Sequence, residues 1–385
     1  MPVDATLATL SDRLLVAAIL VYSAAMLAYA AEYSFGRRGR VGAAAAPARA
    51  AVLVGAGASL PAAPVSPAVG GSTGVPGSTG VLGSTAVAGS TAVLGSTAVL
   101  GSAVPGSPAV PGSTGRPVPA RSGSAIAGVA AAVLSVIGLL LHGGVLVTRA
   151  LAAHRVPWGN MYEFAISVCF IAVLAWLVVM TRQARGEGRA SIRHLGAFVM
   201  LPVVLLLGLA GTVLYTPVVP LVPALNSYWL WIHVSAAVIA SGVFLVSFVT
   251  AVLYLIREKY DRVTAADGTL RFPATLGARF PAAEGLERMT FRVIAFAFPV
   301  WTFATIAGAI WAEAAWSRYW GWDPKETWAF IAWVIYAAYL HARATAGWRG
   351  RRAAWIAVLG WAAMMINLFG VNLVITGLHS YAGLQ

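Results

Sequence analysis

The sequence predicts an all-α polytopic integral membrane protein of about eight transmembrane helices, with a tryptophan-rich extracytoplasmic loop before the seventh. Three observations carry this. The chain of 385 residues is 59% hydrophobic and only 10% charged, against about 25% charged in soluble domains. Apolar runs of about 18 residues or more recur along it, the length needed to cross a bilayer. The net charge of +13 is nearly all arginine, gathered in short clusters between the apolar runs. Clusters of this kind mark cytoplasmic loops, so the charge sets topology and argues against nucleic-acid binding.

The chain divides by composition into an N-terminal transmembrane helix over 1–40, a low-complexity segment over 41–124 and a membrane domain over 125–385. The first span is predicted at about 14–33. Arg37, Arg38 and Arg40 follow it. They place that end in the cytoplasm and the N-terminus outside, and mark a retained anchor rather than a cleaved leader. From Gly71 a six-residue unit repeats as GSTGVP, GSTGVL, GSTAVA and GSTAVL, with no charge between Arg49 and Arg116. Such a period is compatible with a β-helix. Gly, Ser and Pro dominate, however, and valine alone cannot fill a coil, so the segment reads as a disordered cytoplasmic linker without catalytic role.

The remaining spans alternate across the membrane. The second, at about 125–147, emerges into an outer loop, RALAAHRVPWGNMYEF. The third, at about 161–180, returns to Arg182, Arg185, Arg189 and Arg193. The fourth, at about 195–215, leads to a proline-rich outer loop, and the fifth, at about 228–255, to a charged cytoplasmic loop at 257–288. The sixth, at about 291–311, runs out to the tryptophan loop. The seventh, at about 324–341, comes back to Arg343, Arg349, Arg351 and Arg352, and the eighth, at about 353–376, ends in a short outer tail. The exceptions to the arginine rule are Arg149, Arg155 and Arg318, all in outer loops assigned to ligand binding. The single cysteine, Cys169, lies inside an apolar run; it excludes a disulfide within the chain and reads as a small buried side chain.

The densest signal is the stretch 311–341. Trp311, Trp316, Trp320, Trp322, Trp328 and Trp333 surround the turn Asp323-Pro324-Lys325-Glu326, and the apolar run behind it closes on His341. Asp323 as N-cap, Pro324 at the first helical position and Glu326 as the return carboxylate of a capping box predict a helix starting at Pro324. An interfacial aromatic belt accounts for some of these tryptophans. Six on one loop beside Arg318 and Lys325 also suit a large planar ligand with carboxylates, such as a porphyrin.

The six histidines sort by depth. His233, near the outer end of the fifth span, and His379, just past the outer end of the eighth, share the level of the tryptophan loop and suit a bis-imidazole iron site. Each also reads as an ordinary interfacial histidine. His341 lies 17 positions beyond Pro324, about 25 Å lower at 1.5 Å per residue, and so shares no iron with either. It needs a second ligand from His194 or from another protein.

The string WGWDPKETWAFIAWVIYAAYLHAR resembles the tryptophan-rich WWD signature of the haem-handling proteins of cytochrome c maturation. Eight spans in one chain favour the CcsA/ResC family of System II, called CcsB in some bacteria, and the resemblance covers about 125–385. It implies external haem ligands at His233 and His379, and an intramembrane haem ligand at His341 whose partner histidine comes from a ResB-type membrane subunit. The outer loop is similar to that family's P-x-x-N-x-Y-E run, with Arg149, Pro157, Asn160, Tyr162 and Glu163.

The resemblance further implies a plasma-membrane protein that binds haem b (iron protoporphyrin IX) as substrate. It would hold haem against Trp316, Trp320, Trp322 and Trp328 on the extracytoplasmic face and present it to the CxxCH motif of apocytochrome c. Arg318, Lys325 or Arg149 would meet the propionates. Asp323 and Glu326 read as capping residues, with support of the haem pocket as the sharper alternative. Rival readings are a small-molecule transporter with a tryptophan lid and no haem, an electron-transfer cytochrome b, and a structural assembly factor. The scattered depths of the histidines disfavour the second, and their placement the third. No nucleophile or acid–base pair in the chain has to do chemistry itself.

Overall fold

A computed structural model describes residues 3–36, 123–185, 191–219, 227–345 and 347–375. The chain falls into two units, 1–46 with 120–385 and 47–119. The second unit, the expected linker over 41–124 apart from Gly123 and Ser124, which are already helical, His379 and the expected outer tail lie outside the described residues.

Among the described residues every regular element is helical. The helices are α1 (Ala5–Phe35), α2 (Gly123–Ala153), α3 (Met161–Ala184), α4 (Gly196–Thr212), α5 (Tyr228–Ala265), α6 (Ala283–Trp316), α7 (Pro324–Ala344) and α8 (Arg351–Met365). A π-helical turn, Ile366–Gly370, joins α8 to a last short helix, α9 (Val371–Val374). The chain is thus a multi-pass membrane protein. Seven stretches are long and apolar enough to cross a bilayer: α1 to α6 and the run Arg351–Val374. The other expected span, α7, is a helix of 21 residues, about 30 Å long. Its indoles, phenols and terminal charges leave it less apolar than the rest, so the count by hydropathy is seven rather than eight.

Several helices run past the expected ends. α5 continues through Ala265 because its polar end carries its own i,i+4 pairs, Arg257–Asp261 at 2.9 Å and Glu258–Arg262 at 3.6 Å. Most of the expected cytoplasmic loop is accordingly helix or 3₁₀ turn, the latter at Ala274–Arg279.

α5 is the central helix: 83% of its apolar window is buried inside the protein, against 28% for α1. It packs on α3, α6 and α8. α1 lies along α2, where Gly138 allows the close approach; a Cβ there would stand 2.6 Å from the Tyr22 ring. At the C-terminal end of α1 Arg279 donates to the carbonyls of Tyr33 and Ser34, both at 2.5 Å, and Tyr33 donates to the carbonyl of Leu276 at 2.6 Å. The last carbonyls of α1 are thereby capped by the α5–α6 loop. Glu287 of α6 accepts from Arg343 at 2.6 Å and from the Gly350 N–H at 3.1 Å, fixing the turn between α7 and α8. These ties leave the opposite ends of α3, α5, α6, α7 and the π-helical turn to surround a cavity.

Candidate functional site

The cavity has a volume of about 190 Å³. Its walls come from Trp158–Met161 at the start of α3, Leu230 to Ser241 on α5, Trp301 to Trp316 on α6, Tyr319 and Trp320 of the loop, Lys325 and Glu326 of α7, and Met364 to Leu368 at the π-helical turn. Leu230 to Ser241 is eleven steps of helix, so the cavity runs about 16 Å along α5.

His233 is held in one orientation. Its Nδ1 lies 2.8 Å from the carbonyl oxygen of Ala304 on α6. A carbonyl only accepts, so Nδ1 carries a proton in this contact. Histidines that bind metals use this same arrangement, donating one ring N–H to a backbone carbonyl. The imidazole fits there because residue 308 is glycine; a Cβ would stand 2.7 Å from the ring. Trp311 lies parallel to the imidazole, with 8° between planes and 6.2 Å between centroids. Trp316 meets Trp311 edge-on at 4.9 Å.

The capping box predicted at Asp323 is present. Asp323 Oδ1 accepts from the backbone of Lys325 at 3.1 Å, and Glu326 Oε2 accepts from the N–H groups of Gly321 at 2.8 Å and Asp323 at 3.1 Å. Both carboxylates thus shape the turn, the capping role foreseen for them. Ser317 (φ 55°) ends α6 and Trp322 (φ 56°) starts the turn, two left-handed residues that are not glycine. Backbone strain of this kind collects at functional loops. Trp320 meets Trp322 edge-on at 5.7 Å, and Phe330 lies beside both.

The structure brings together His233, Trp316, Trp320 and Lys325 at the cavity wall. Other expected residues stand elsewhere. Trp322 is 65% exposed, and Trp328 packs against the main core instead. Arg318 is exposed, with its guanidinium over Gly321. Arg149 turns away from the cavity into a buried cluster: its Nε pairs with Glu163 at 2.8 Å, its guanidinium lies 4.6 Å from the Tyr162 ring centre, and it donates to the Thr216 carbonyl. Arg155 pairs with the same carboxylate at 2.8 Å, and the Gly159 N–H donates to it at 2.7 Å. Arg149 therefore acts on the cavity only through Glu163, which fixes the Trp158–Met161 wall.

His341 is exposed at the far end of α7. His194 is buried, near the Arg279 carbonyl at 3.2 Å and stacked on Tyr33 at 6.1 Å. The turn that carries it (Arg193–Leu195) packs on α1, α2 and α4, whereas α7 packs on α6, α8 and the π-helical turn. Their settings differ accordingly.

Three cavity residues were not singled out as ligands by sequence. Asn160 Nδ2, Ser241 Oγ and Asn367 Oδ1 are buried and have no hydrogen-bond partner among the described residues. Each such atom costs about 1–3 kcal/mol when left unsatisfied. Asn160 uses its other atom, Oδ1, to cap α3 at the Glu163 N–H, 2.8 Å away. The available signal for Ser241 was its spacing: Leu230, Val234, Ala237 and Ser241 recur at helical intervals on one face of α5.

Comparison with known proteins gives one answer. A family model described as cytochrome C assembly protein matches residues 158–379, more than half of the chain. The cytochrome c biogenesis protein CcsA of Guillardia theta is 37% identical over 254 residues, covering 63% of this chain and 81% of that protein. CcsA of Gloeobacter violaceus is 34% identical over 297 residues, covering 65% and 86%. CcsA of Mesostigma viride is 33% identical over 247 residues, covering 60% and 78%. The chain belongs to the cytochrome c assembly protein family, and its function lies in c-type cytochrome biogenesis.

Proposed function

We propose that this protein holds haem b as a substrate and presents it at the extracytoplasmic face of the plasma membrane for covalent attachment to apocytochrome c, acting with a ResB-type subunit. The observation that carries the reading is His233: an imidazole fixed through Nδ1 against Ala304, seated over Gly308 beside Trp311, at the wall of an aromatic cavity. Family membership implies haem handling. The three unsatisfied polar atoms in a mostly apolar cavity support a ligand that is largely apolar but carries polar groups.

The cavity's volume bears on how haem sits. About 190 Å³ is below the ~300–1,000 Å³ of ordinary ligand pockets, so a porphyrin enters edge-first and part of it stays at the mouth, near Trp316 and Trp320. That outer edge is where an apocytochrome reaches it. Each cysteine thiol adds across one vinyl group, its sulfur to one carbon and its proton to the other, with no net oxidation. The protein contributes orientation and iron ligation, and the porphyrin supplies the reactive carbons. His379 is assigned as the second outer ligand, since α9 reaches the cavity level through the Lys325–Asn372 contact at 2.9 Å and His379 follows in the chain. His341, exposed on the surface of this chain, is assigned to an inner site completed by a histidine of the ResB-type subunit.

The test is the optical spectrum of the purified protein, alone and with its ResB-type partner, oxidised and reduced. Wild type is expected to show bis-imidazole haem bands. His233→Ala and His379→Ala alter one component, and His341→Ala removes another. Absence of haem from every folded preparation rejects the proposal and leaves a transporter as the better account.

A further inference from the structure

Lys325 lines the cavity and, among the described residues, makes no ion pair within 4 Å. Among the described residues, six arginines are paired with carboxylates. Lys325 instead donates its Nζ to the amide oxygen of Asn372, at 2.9 Å. The acids beside it in sequence accept from backbone: Asp323 Oδ1 from the Lys325 N–H, and Glu326 Oε2 from Gly321 and Asp323. Among the described residues that line the cavity, Lys325 is the sole cation. An amide oxygen satisfies one N–H of an ammonium and none of its charge, whereas a carboxylate answers both. An acidic group entering the cavity therefore competes well against Asn372.

Asn372 has a second contact. Its Nδ2 donates to the Leu368 carbonyl at 2.6 Å, inside the π-helical turn Ile366–Gly370. Turns of this type interrupt helices at functional sites. The Asn372 side chain thus ties Lys325 to the stretch that leads from the cavity toward the C-terminal residues.

We propose that Lys325 is the carboxylate-reading residue of this cavity and that Asn372 is its placeholder. The amide oxygen holds the ammonium in register; a carboxylate on the ligand takes it over and releases Asn372. The ligand class is a planar apolar molecule bearing an acidic side chain, and the inference rests on the haem reading above.

The experiment titrates the full-length protein in detergent with metal-free protoporphyrin IX and, separately, with its dimethyl ester, following tryptophan fluorescence. Without iron, histidine ligation contributes nothing. Wild type is expected to take the diacid about tenfold more tightly than the diester, the effect of one charge-assisted hydrogen bond. Lys325→Gln erases that preference. Asn372→Asp, which supplies a built-in rival carboxylate, weakens the diacid about tenfold and leaves the diester unchanged; Asn372→Leu keeps the preference. Retained diester binding shows that each variant is folded. A diacid preference that survives Lys325→Gln, or equal affinity of wild type for both porphyrins, overturns the role of Lys325 alone. Failure of wild type to bind either one overturns the haem reading of the cavity and this assignment with it.

Discussion

Two helix starts face the cavity, and they use their charges differently. At α3 the cap is Asn160, and Glu163 gathers Arg149, Arg155 and the Gly159 N–H around one fully buried carboxylate. At α7 the cap is Asp323, and Glu326 returns to the backbone of the turn. The first consumes its arginines internally and clamps the connection between α2 and α3 to the carbonyls of Thr216 and Val219. The second holds its cation against a neutral amide at the cavity wall. A buried charge answered by charge is scaffold, and a charge left to an amide is available to a ligand. In this contrast Arg149, which sequence grouped with Lys325, stands in the clamp, paired with Glu163.

The clamp gives the largest expected effect. Glu163→Ala leaves two buried guanidinium groups without their acid, a loss of about 3–5 kcal/mol; the thermal midpoint of the purified protein should fall sharply and its yield with it. An unchanged midpoint would erase the distinction between the two helix starts. Next is Gly308→Val. Side-chain atoms at 308 displace the His233 ring, so haem retention should fall about tenfold or more, the scale of a lost oriented metal ligand, as read by pyridine haemochrome assay against protein concentration. Smaller is Glu326→Ala, which breaks one half of the capping box. The cost is about 1 kcal/mol, seen as a shift of a few degrees in the midpoint. Smallest is Trp322→Ala. Its ring is 65% exposed, so the midpoint should move within the ~0.5 kcal/mol typical of surface changes. Any loss in covalent transfer to apocytochrome would then report presentation of haem rather than folding.

Much of this was legible in the sequence, for physical reasons. Crossing a bilayer demands long apolar helices, and the arginines bias their orientation, so the spans and the helix start at Pro324 could be read directly. Caps are local: Asp323 and Glu326 act within one turn, and the structure has them as expected. Tertiary approach was not legible. Nothing near Ala304 or Gly308 in sequence announces that they hold the His233 ring, since the contact joins two helices 71 positions apart. The same holds for Lys325 and Asn372, 47 positions apart. The setting of Arg149 was not legible either: sequence put it in a loop, whereas it lies in the last turns of α2 against the buried Glu163 carboxylate. α7 shows where length and hydropathy part: its 21 residues make a helix of spanning length, but indoles and phenols lower its apolar score and it is not among the seven candidate spans.

The central claim is that Nε2 of His233 binds haem iron at the cavity. Its most direct test replaces His233 with glycine, which removes the ring and leaves its seat beside Gly308, and then adds free imidazole to the purified protein with haem. The account predicts that His233→Gly loses the low-spin bis-imidazole spectrum and that imidazole restores it in a saturable way. A low-spin spectrum that persists without His233, or a loss that imidazole does not repair in a folded protein, would contradict it.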